Sequence, residues 1–283
     1  MSVAIRQMTA ADVGMGDSLR ALAGWNQTPA DWRRILSLEP GGCFVAEWDG
    51  LPVGTTTTTC YGTELAWIGM VLVHPDFRGR GIGRALMDHC VEYLKRRGLR
   101  SIMLDATPLG ERLYSKLGFS VASRLARWER AAMGERPPAK YPGACEIKSE
   151  MWPEIVRMDA SVFGVPRERL LDELRRDSLA TLHPASKFAP RGFGMIRPGV
   201  AADYLGPVEV DDSEFAERLV CTLLEQTGRR VFWDIPEENR AAIELAEHFG
   251  FRRQRPLARM VCGHSPPAGI PDRQYAIADP ACG

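Results

Sequence analysis

The sequence predicts an α/β fold in two lobes, and three observations support this prediction. A buried strand over residues 65–73 leads through a loop rich in glycine and arginine into an amphipathic helix, which runs from about Gly81 to Arg97. Segments with strand and helix periodicity alternate along most of the chain. A strand-to-helix segment near residue 107 also recurs near residue 239, which indicates an internal repeat.

Composition limits the classes of function. The chain has 283 residues and 45% hydrophobic content, enough for one or two domains with sizeable cores. Lys+Arg and Asp+Glu both number 36, and this neutrality argues against a nucleic-acid partner. Seven scattered cysteines without a C-x-x-C motif are typical of a reducing compartment. Without an apolar run of membrane length, we expect a cytoplasmic protein with no membrane partner.

The first lobe follows from its periodicity and its caps. Thr9 or Asp12 caps a helix that reaches about Asn26, with Val13, Leu19 and Leu22 facing inward. Five threonines, residues 55–59, are interpreted as β-branched strand residues. The predicted elements are strand Val3–Met8, helices from Asp12 and Thr28, strands Cys43–Trp48, Leu51–Cys60 and Leu65–Val73, the helix from Gly81, strand Ser101–Asp105, helix Pro108–Leu117 and strand Val121–Trp128.

The second lobe follows a proline-rich linker over residues 131–144. Two helices come first, and two short strands are expected within residues 187–196. The remaining predicted elements are strand Tyr204–Val210, helix Phe215–Gln226, strand Val231–Ile235 and a helix from Asn239 that ends before Gly250.

The glycine-arginine loop after the strand at residues 65–73 predicts a phosphate site. Gly79, Gly81 and Gly83 leave backbone N–H groups unshielded where a helix begins, and the positive end of the helix dipole lies there. Three interleaved arginines add full positive charge. We therefore expect a small ligand that carries a polyphosphate, bound by Arg78, Gly79, Arg80, Gly81, Ile82, Gly83 and Arg84.

Three families of glycine loop compete here. A P-loop needs a lysine followed by Ser or Thr, and the Rossmann fingerprint needs G-x-G-x-x-G; neither pattern is present. Arg78-Gly79-Arg80-Gly81-Ile82-Gly83, preceded by Val73-x-Pro75, resembles the pyrophosphate loop of the GNAT N-acetyltransferases. The order of predicted elements is similar to that family's fold, which implies a mixed, mostly antiparallel sheet flanked by helices in each lobe.

A second motif carries the same resemblance. Residues 104–119 are similar to the family's N-x-x-A-x-x-L-Y-x-x-x-G-F segment, and Tyr114 takes the place of its tyrosine. The resemblance implies that Tyr114 protonates the departing CoA thiolate, while a core aromatic on a helix face is the alternative. Thr107 stands at the asparagine position and Gly110 at the alanine position. Thr107 is retained as a candidate contact to CoA.

The resemblance also implies how acyl transfer is arranged. The co-substrate is acetyl-CoA, held along the strand by Met70, Val71, Leu72 and Val73, and a backbone N–H near Met70–Leu72 stabilises the oxyanion. Glu64 lies where a base often sits in this family, although it is also explained as a solvated charge at a strand start. His74 is a second candidate, interpreted as a packing or loop residue. The five histidines show no metal-ligand spacing, so we expect no metal.

The internal repeat predicts one active and one degenerate lobe. Asn239-x-x-Ala242 to Gly250-Phe251 repeats the motif, but Ala246 stands at the tyrosine position. Val210-Asp211-Asp212-Ser213-Glu214 replaces the arginine loop with carboxylates, which would repel a pyrophosphate. Two unrelated α/β domains are the alternative. The predicted domains are residues 1–135 (catalytic), 141–264 (degenerate) and 265–283 (an extended tail).

The sequence therefore predicts an acetyl-CoA-dependent N-acetyltransferase with Tyr114 as general acid. Its acceptor is expected to be a primary amine of a small molecule or peptide, and its assembly a monomer or homodimer. Two alternatives stay open: a transferase that uses another acyl-CoA, and a non-enzymatic regulator that binds an acyl-CoA.

Overall fold

The structure, a computed structural model, has the mixed α/β architecture that the sequence predicts. It describes residues 2–132, 144–184 and 190–283, so most of the predicted linker and part of the predicted 187–196 strand pair lie outside the described residues. The first compact unit contains residues up to 121, together with 260–266 and 281–283. The second contains residues 122–259 and 267–280. Each unit thus draws on distant parts of the sequence.

Nine elements belong wholly to the first unit. Thr28 and Asp31 form a capping box at the start of the second helix, and Asp49 and Gly50, both with positive φ, make the first hairpin turn. The elements are β1 (Val3–Gln7), α1 (Val13–Leu22), α2 (Pro29–Leu38), β2 (Phe44–Trp48), β3 (Leu51–Tyr61), β4 (Leu65–Val73), α3 (Ile82–Arg96), β5 (Ser101–Ala106) and α4 (Pro108–Ser115).

The helices of the first unit cover both faces of the sheet. On one face, Thr56 Oγ1 lies 3.4 Å from Cys90 Sγ of α3. On the other face, α1 and α2 supply an apolar cluster that includes Leu19, Trp32 and Met70. The prediction that Leu22 faces inward is wrong, because its side chain is 54% exposed at the end of α1. No helix in the described part of the chain is long and apolar enough to cross a membrane.

Within the described residues, twelve strands and α-helices follow in sequence. They are β6 (Ser120–Arg130), β7 (Ala144–Glu146), α5 (Trp152–Phe163), α6 (Glu168–Asp177), β8 (Ala180–Pro184), β9 (Gly192–Arg197), β10 (Asp203–Val210), α7 (Ser213–Leu224), β11 (Val231–Pro236), α8 (Arg240–His248), β12 (Arg252–Gly263) and β13 (Gln274–Ala276). The sheet of the second unit runs in the order β6-β11-β10-β9-β8-β7.

The strand β6 differs in its placement from the prediction. The sequence assigns it to the first lobe, whereas the structure pairs it antiparallel with β11, with Trp128 opposite Trp233. The reason lies in side-chain contacts: Arg127 donates to both carboxylate oxygens of Asp234, at 2.9 and 2.6 Å, and both side chains are buried. In the first unit, the end of β12 lies beside β5 instead, where His264 N donates to Arg100 O at 3.0 Å.

The segment predicted as an extended tail is packed. Strand β13 pairs antiparallel with β10, and Tyr275, Ala276 and Ile277 are buried. Trp233 Nε1 donates to Tyr275 O at 2.8 Å. The prolines that suggested a tail flank this strand, and a one-dimensional pattern does not reveal that a three-residue strand has a partner.

The Arg127–Asp234 pair generates a stability prediction. Asp234→Asn keeps the shape but leaves the Arg127 charge buried without its counter-ion, so we expect a loss of about 3–5 kcal/mol in the free energy of unfolding. Urea denaturation measures this loss. The control Glu214→Gln breaks an exposed ion pair with Arg218 and should cost less than about 1 kcal/mol. Equal effects would contradict the buried pairing.

Candidate active site

An opening between β4 and β5 creates the site. These parallel strands pair only where Leu65–Trp67 lie opposite Ser101–Met103. Beyond Trp67 the register of β4 with β3 shifts, and Met70 takes a positive φ of 49°. Such a bulge bends the strand and redirects its backbone groups. The predicted residues Met70–Val73 therefore lie on the part of β4 that has left β5.

The bulge is held from the β3 side. Thr55 Oγ1 donates to Met70 O at 2.9 Å, and both residues are buried. His74 N donates to Val53 O at 2.8 Å where β4 ends. The backbone of β4 is thus fixed on its β3 side while its other side faces the opening.

The glycine loop forms an open cradle at the start of α3. Gly79 and Gly81 have φ values of 76° and 81°, which favour glycine, and a Cβ on either would meet no atom within 4 Å. Ala85 N donates to Gly81 O at 2.9 Å, so the N–H groups of Ile82, Gly83 and Arg84 precede the helical hydrogen bonds. Open space, free donors and the helix dipole together fit a polyphosphate.

The three arginines of the loop are exposed but differ in their contacts. Arg78 Nε donates to Val73 O at 3.1 Å, which ties the loop to the end of β4. The Arg80 guanidinium lies 5.0 Å from the Trp48 ring centroid. Arg84 Nε lies 3.4 Å from Asp88 on the same helix. Because surface pairs of this kind are weak, these cations stay available to an anionic ligand.

Tyr114 lies on α4 with its ring buried. A Cβ on Gly110 would lie 2.8 Å from Tyr114 Cε2, so glycine at that position makes room for the ring. Burial raises the pKa of Tyr114 above its usual value of 10, and the phenol stays protonated at neutral pH. No described residue forms a hydrogen bond with its hydroxyl. The phenol is therefore neutral at physiological pH, and its ring packs 6.2 Å from Phe119.

Thr107 caps α4, since its side chain accepts a hydrogen bond from Gly110 N at 3.3 Å. Asn239 has the same position in the second unit and caps α8 by accepting from Ala242 N at 2.9 Å. The position thus has a structural role in both repeats. The Thr107 hydroxyl hydrogen remains free to donate, and a contact with CoA stays a prediction.

The two candidate bases lie at opposite ends of β4. Glu64 is exposed in the turn before β4, and six residues of strand, about 20 Å, separate it from Met70. His74 accepts from Asp76 N at 3.4 Å and stacks edge-on against Phe77, which agrees with its interpretation as a loop residue. Among the residues described, no three His, Cys, Asp or Glu side chains gather as metal ligands.

The corresponding opening in the second unit is filled by the chain itself. Strands β10 and β11 also pair in parallel over only three residues, Asp203–Leu205 with Val231–Trp233. Beyond them, β13 pairs with β10 at Val208 and Glu209, and Ile277 N donates to Asp234 O at 3.1 Å. Ala246 is fully buried at the tyrosine position. The second unit therefore lacks an open cleft here among its described residues.

Comparisons with known proteins identify the family of both halves of the chain. Residues 16–119 match the acetyltransferase (GNAT) family, and residues 155–276 match an acetyltransferase (GNAT) domain. An uncharacterized N-acetyltransferase of Methanocaldococcus jannaschii is 35% identical over 105 residues, which cover 34% of this chain and only 46% of that relative. The holothin acyltransferase of Pseudoalteromonas sp. is 24% identical over 86% of this chain and 82% of that protein.

A solved structure extends the likeness to both units. The crystal structure of a protein from Pyrococcus horikoshii has a TM-score of 0.85 and 27% identity, and the match covers 99% of this chain and 96% of that one. The chain belongs to the GNAT family of acetyltransferases, with one GNAT match in each half of its sequence.

The cradle generates a binding prediction. Gly81→Val places a side chain in the open space and strains a left-handed backbone, so the Kd for acetyl-CoA should rise at least about tenfold. Calorimetry measures the change. Gly98→Val is the matched control: Gly98 ends α3 with a φ of 78° and equally open space, but lies at the other end of the helix. It should lower stability similarly and leave the Kd unchanged. Parental affinity in Gly81→Val would contradict the cradle.

Proposed function

We propose that this protein is an acetyl-CoA-dependent N-acetyltransferase that acts on a primary amine of a small molecule or peptide. The observation that carries the proposal is the opening between β4 and β5 beyond Trp67, which lies directly before the arginine-rich cradle. A donor with a polyphosphate at one end and an extended arm at the other needs this combination. The family to which the chain belongs uses such a donor.

The binding roles follow from position along the chain. The N–H groups of Ile82, Gly83 and Arg84 would receive the pyrophosphate, with Arg78 and Arg80 beside it. The freed edge of β4, over Met70–Val73, would pair with the amides of the pantetheine arm as a strand pairs with its neighbour. The thioester would then lie beside the bulge.

The reaction forms one C–N bond and breaks one C–S bond. A neutral amine attacks the thioester carbon, and a backbone N–H in the Met70–Leu72 stretch stabilises the oxyanion. As the tetrahedral intermediate collapses, the electron pair of the C–S bond leaves with sulfur, which receives a proton from Tyr114. The amine nitrogen loses one proton, so the products are an amide and free CoA.

The amine proton leaves through water in this proposal. Glu64 is too distant from the bulge for direct contact, and a role for it requires a chain of intervening water molecules. Tyr114 is reprotonated from solvent after each cycle. A buried phenol with an unengaged hydroxyl supports catalysis over binding alone, because a binding protein needs only the cradle.

The length of the acyl chain is a separate matter. The relative from Pseudoalteromonas sp. is named an acyltransferase, so a donor other than acetyl-CoA is the second candidate. A panel of acyl-CoA thioesters, assayed for thiol release with a set of primary amines, tests acetyl-CoA and the other acyl-CoA donors side by side. Tight CoA binding without turnover of any amine would overturn the proposed activity.

The difference between the open first unit and the filled second unit predicts how many acetyl-CoA molecules bind per chain. Because β13 fills the opening of the second unit, one acetyl-CoA should bind per chain. Titration calorimetry measures this number directly. Two equivalent sites per chain would show that the filled opening is able to bind the donor.

Tyr114 generates a kinetic prediction. Tyr114→Phe keeps the ring over Gly110 and removes the proton donor, so kcat should fall at least about tenfold with little change in acetyl-CoA affinity. Because burial raises the pKa of Tyr114, its deprotonation should produce no falling limb in the parental pH–rate profile below about pH 10.

Tyr93→Phe is the matched control. Tyr93 on α3 donates to Glu39 at 2.9 Å and accepts from Arg97 at 2.8 Å, so its loss should lower stability without lowering kcat. A Tyr114→Phe variant with parental kcat would remove the tyrosine from the mechanism.

A further inference from the structure

Three residues from the far end of the chain pack against the bulged strand. A Cβ on Gly69 would lie 2.8 Å from Ala281 Cα and 2.9 Å from Ala281 Cβ, so only glycine permits this approach. Tyr61 Oη donates to Cys282 O at 2.5 Å. Ala281 joins the apolar cluster that contains Met70 and Leu72 of β4. We call residues 281–283 the terminal segment; all three are buried in the first unit.

The terminal segment lies on the face of the sheet opposite α3. A Cβ on Gly54 would lie 3.1 Å from Leu86 of α3, and Thr56 contacts Cys90 of the same helix. Side chains alternate along a strand, so Thr55, Thr57 and Thr59 face the other way. Gly69 pairs with Thr57 and shares that face. The donor cradle belongs to α3, so the terminal segment and the cradle lie on opposite faces of the sheet.

Unsatisfied polar groups lie on the same face. The hydroxyls of Thr57 and Thr59 and the Nε1 of Trp32 are buried, yet none has a hydrogen-bond partner among the described residues. Trp32 belongs to the cluster that holds Ala281. A buried polar group without a partner costs about 1–3 kcal/mol, so three such groups on one face call for an explanation.

The chain just before the terminal segment is fixed. The buried Arg197 guanidinium donates to Ala278 O at 2.7 Å and to Asp279 Oδ2 at 2.9 Å. Two such charge-assisted bonds restrain residue 279 strongly. The terminal segment itself is anchored within the first unit by the bond from Tyr61 to Cys282 O and by its contact with Gly69.

We propose that the terminal segment forms a wall of the acceptor pocket and sets which amines the enzyme accepts. Thr57 and Thr59 supply hydrogen bonds to the acceptor, and Trp32, Met70 and Ala281 supply apolar contacts. These are neutral groups, so they fit an amine with an apolar body and uncharged polar substituents. They do not fit a carboxylate or phosphate tail, which would need a cation. This inference rests on the proposed acetyltransferase activity.

The test compares amine selectivity with donor binding. Primary amines of increasing size, with neutral, carboxylated or phosphorylated tails, are assayed with acetyl-CoA in parent and variants. Gly69→Ala should displace the terminal segment and change the ratio of kcat/KM between the largest and smallest amines at least tenfold. Acetyl-CoA KM should stay within twofold. Tyr61→Phe, which removes the bond to Cys282, should shift the ratio in the same direction and provides a milder variant if Gly69→Ala does not fold.

Thr57→Val gives a readout that a structural role would not move. Because its hydroxyl has no partner, its loss should leave the melting temperature unchanged or higher, while the KM of a hydrogen-bonding amine rises at least fivefold. Thr58→Val is the matched control on the α3 face: its hydroxyl donates to Gly42 O at 2.9 Å, so this variant should melt lower with unchanged amine KM.

The outcomes separate the two proposals. If the parent transfers acetyl to no amine in the panel, both the proposed activity and the proposed role of the terminal segment are wrong. In another outcome, the parent is active while Gly69→Ala, Tyr61→Phe and Thr57→Val keep parental amine selectivity and KM. In that case only the proposed role of the terminal segment is wrong. A preference of the parent for carboxylated or phosphorylated amines would also overturn the assigned acceptor chemistry.

Discussion

The parting of β4 and β5 is the constraint on which the rest of this structure depends. A strand that leaves its neighbour must satisfy its freed backbone N–H and C=O groups in some other way. The bulge at Met70 begins the parting, and Thr55 stabilises the bulge by donating to Met70 O. The helix α3 begins nine residues after β4 ends, with its free N–H groups in the Gly81 loop. An extended, amide-bearing ligand with a phosphate end matches both sets of donors.

In the second unit, strands β10 and β11 also part after three paired residues, and there the chain itself supplies the missing hydrogen-bond partners. There β13 takes the position beside β10, and Trp233 donates to Tyr275 O. Buried charges reinforce this half: Arg167 contacts both Asp159 and Glu209, and burial raises the pKa of Glu209 well above its usual range. Such networks position strands and are costly to break. One repeat thus keeps its opening, while the other uses its own chain to close it.

The last residues of the chain belong partly to the second unit and partly to the first. After filling the opening in the second unit, the polypeptide continues to residues 281–283, which pack on Gly69 in the first. The glycine at position 69 and the tyrosine at position 61 are explained by this contact, since neither belongs to the donor cradle.

The sequence by itself determined most of the elements of the first lobe, the family and the position of the glycine-arginine loop. Local signals suffice for these: the Thr28–Asp31 box starts a helix, the Asp49-Gly50 turn closes a hairpin, and the spacing of Gly79, Gly81 and Gly83 marks a phosphate loop. The replacement of tyrosine by Ala246 and of arginines by Asp211 and Asp212 also indicated which repeat is degenerate. Each of these features lies within a short stretch of chain.

Only the tertiary structure decided which residues meet across long separations. The bulge at Met70 has no sequence signal, because a methionine at positive φ is imposed by packing and by the bond from Thr55. The assignment of β6 to the second unit depends on Arg127 meeting Asp234, more than one hundred residues away. The packing of residues 274–283 depends on partners in β10 and β4. Hydrophobic periodicity identifies a face that must be buried, but it carries no information about which distant surface will bury it.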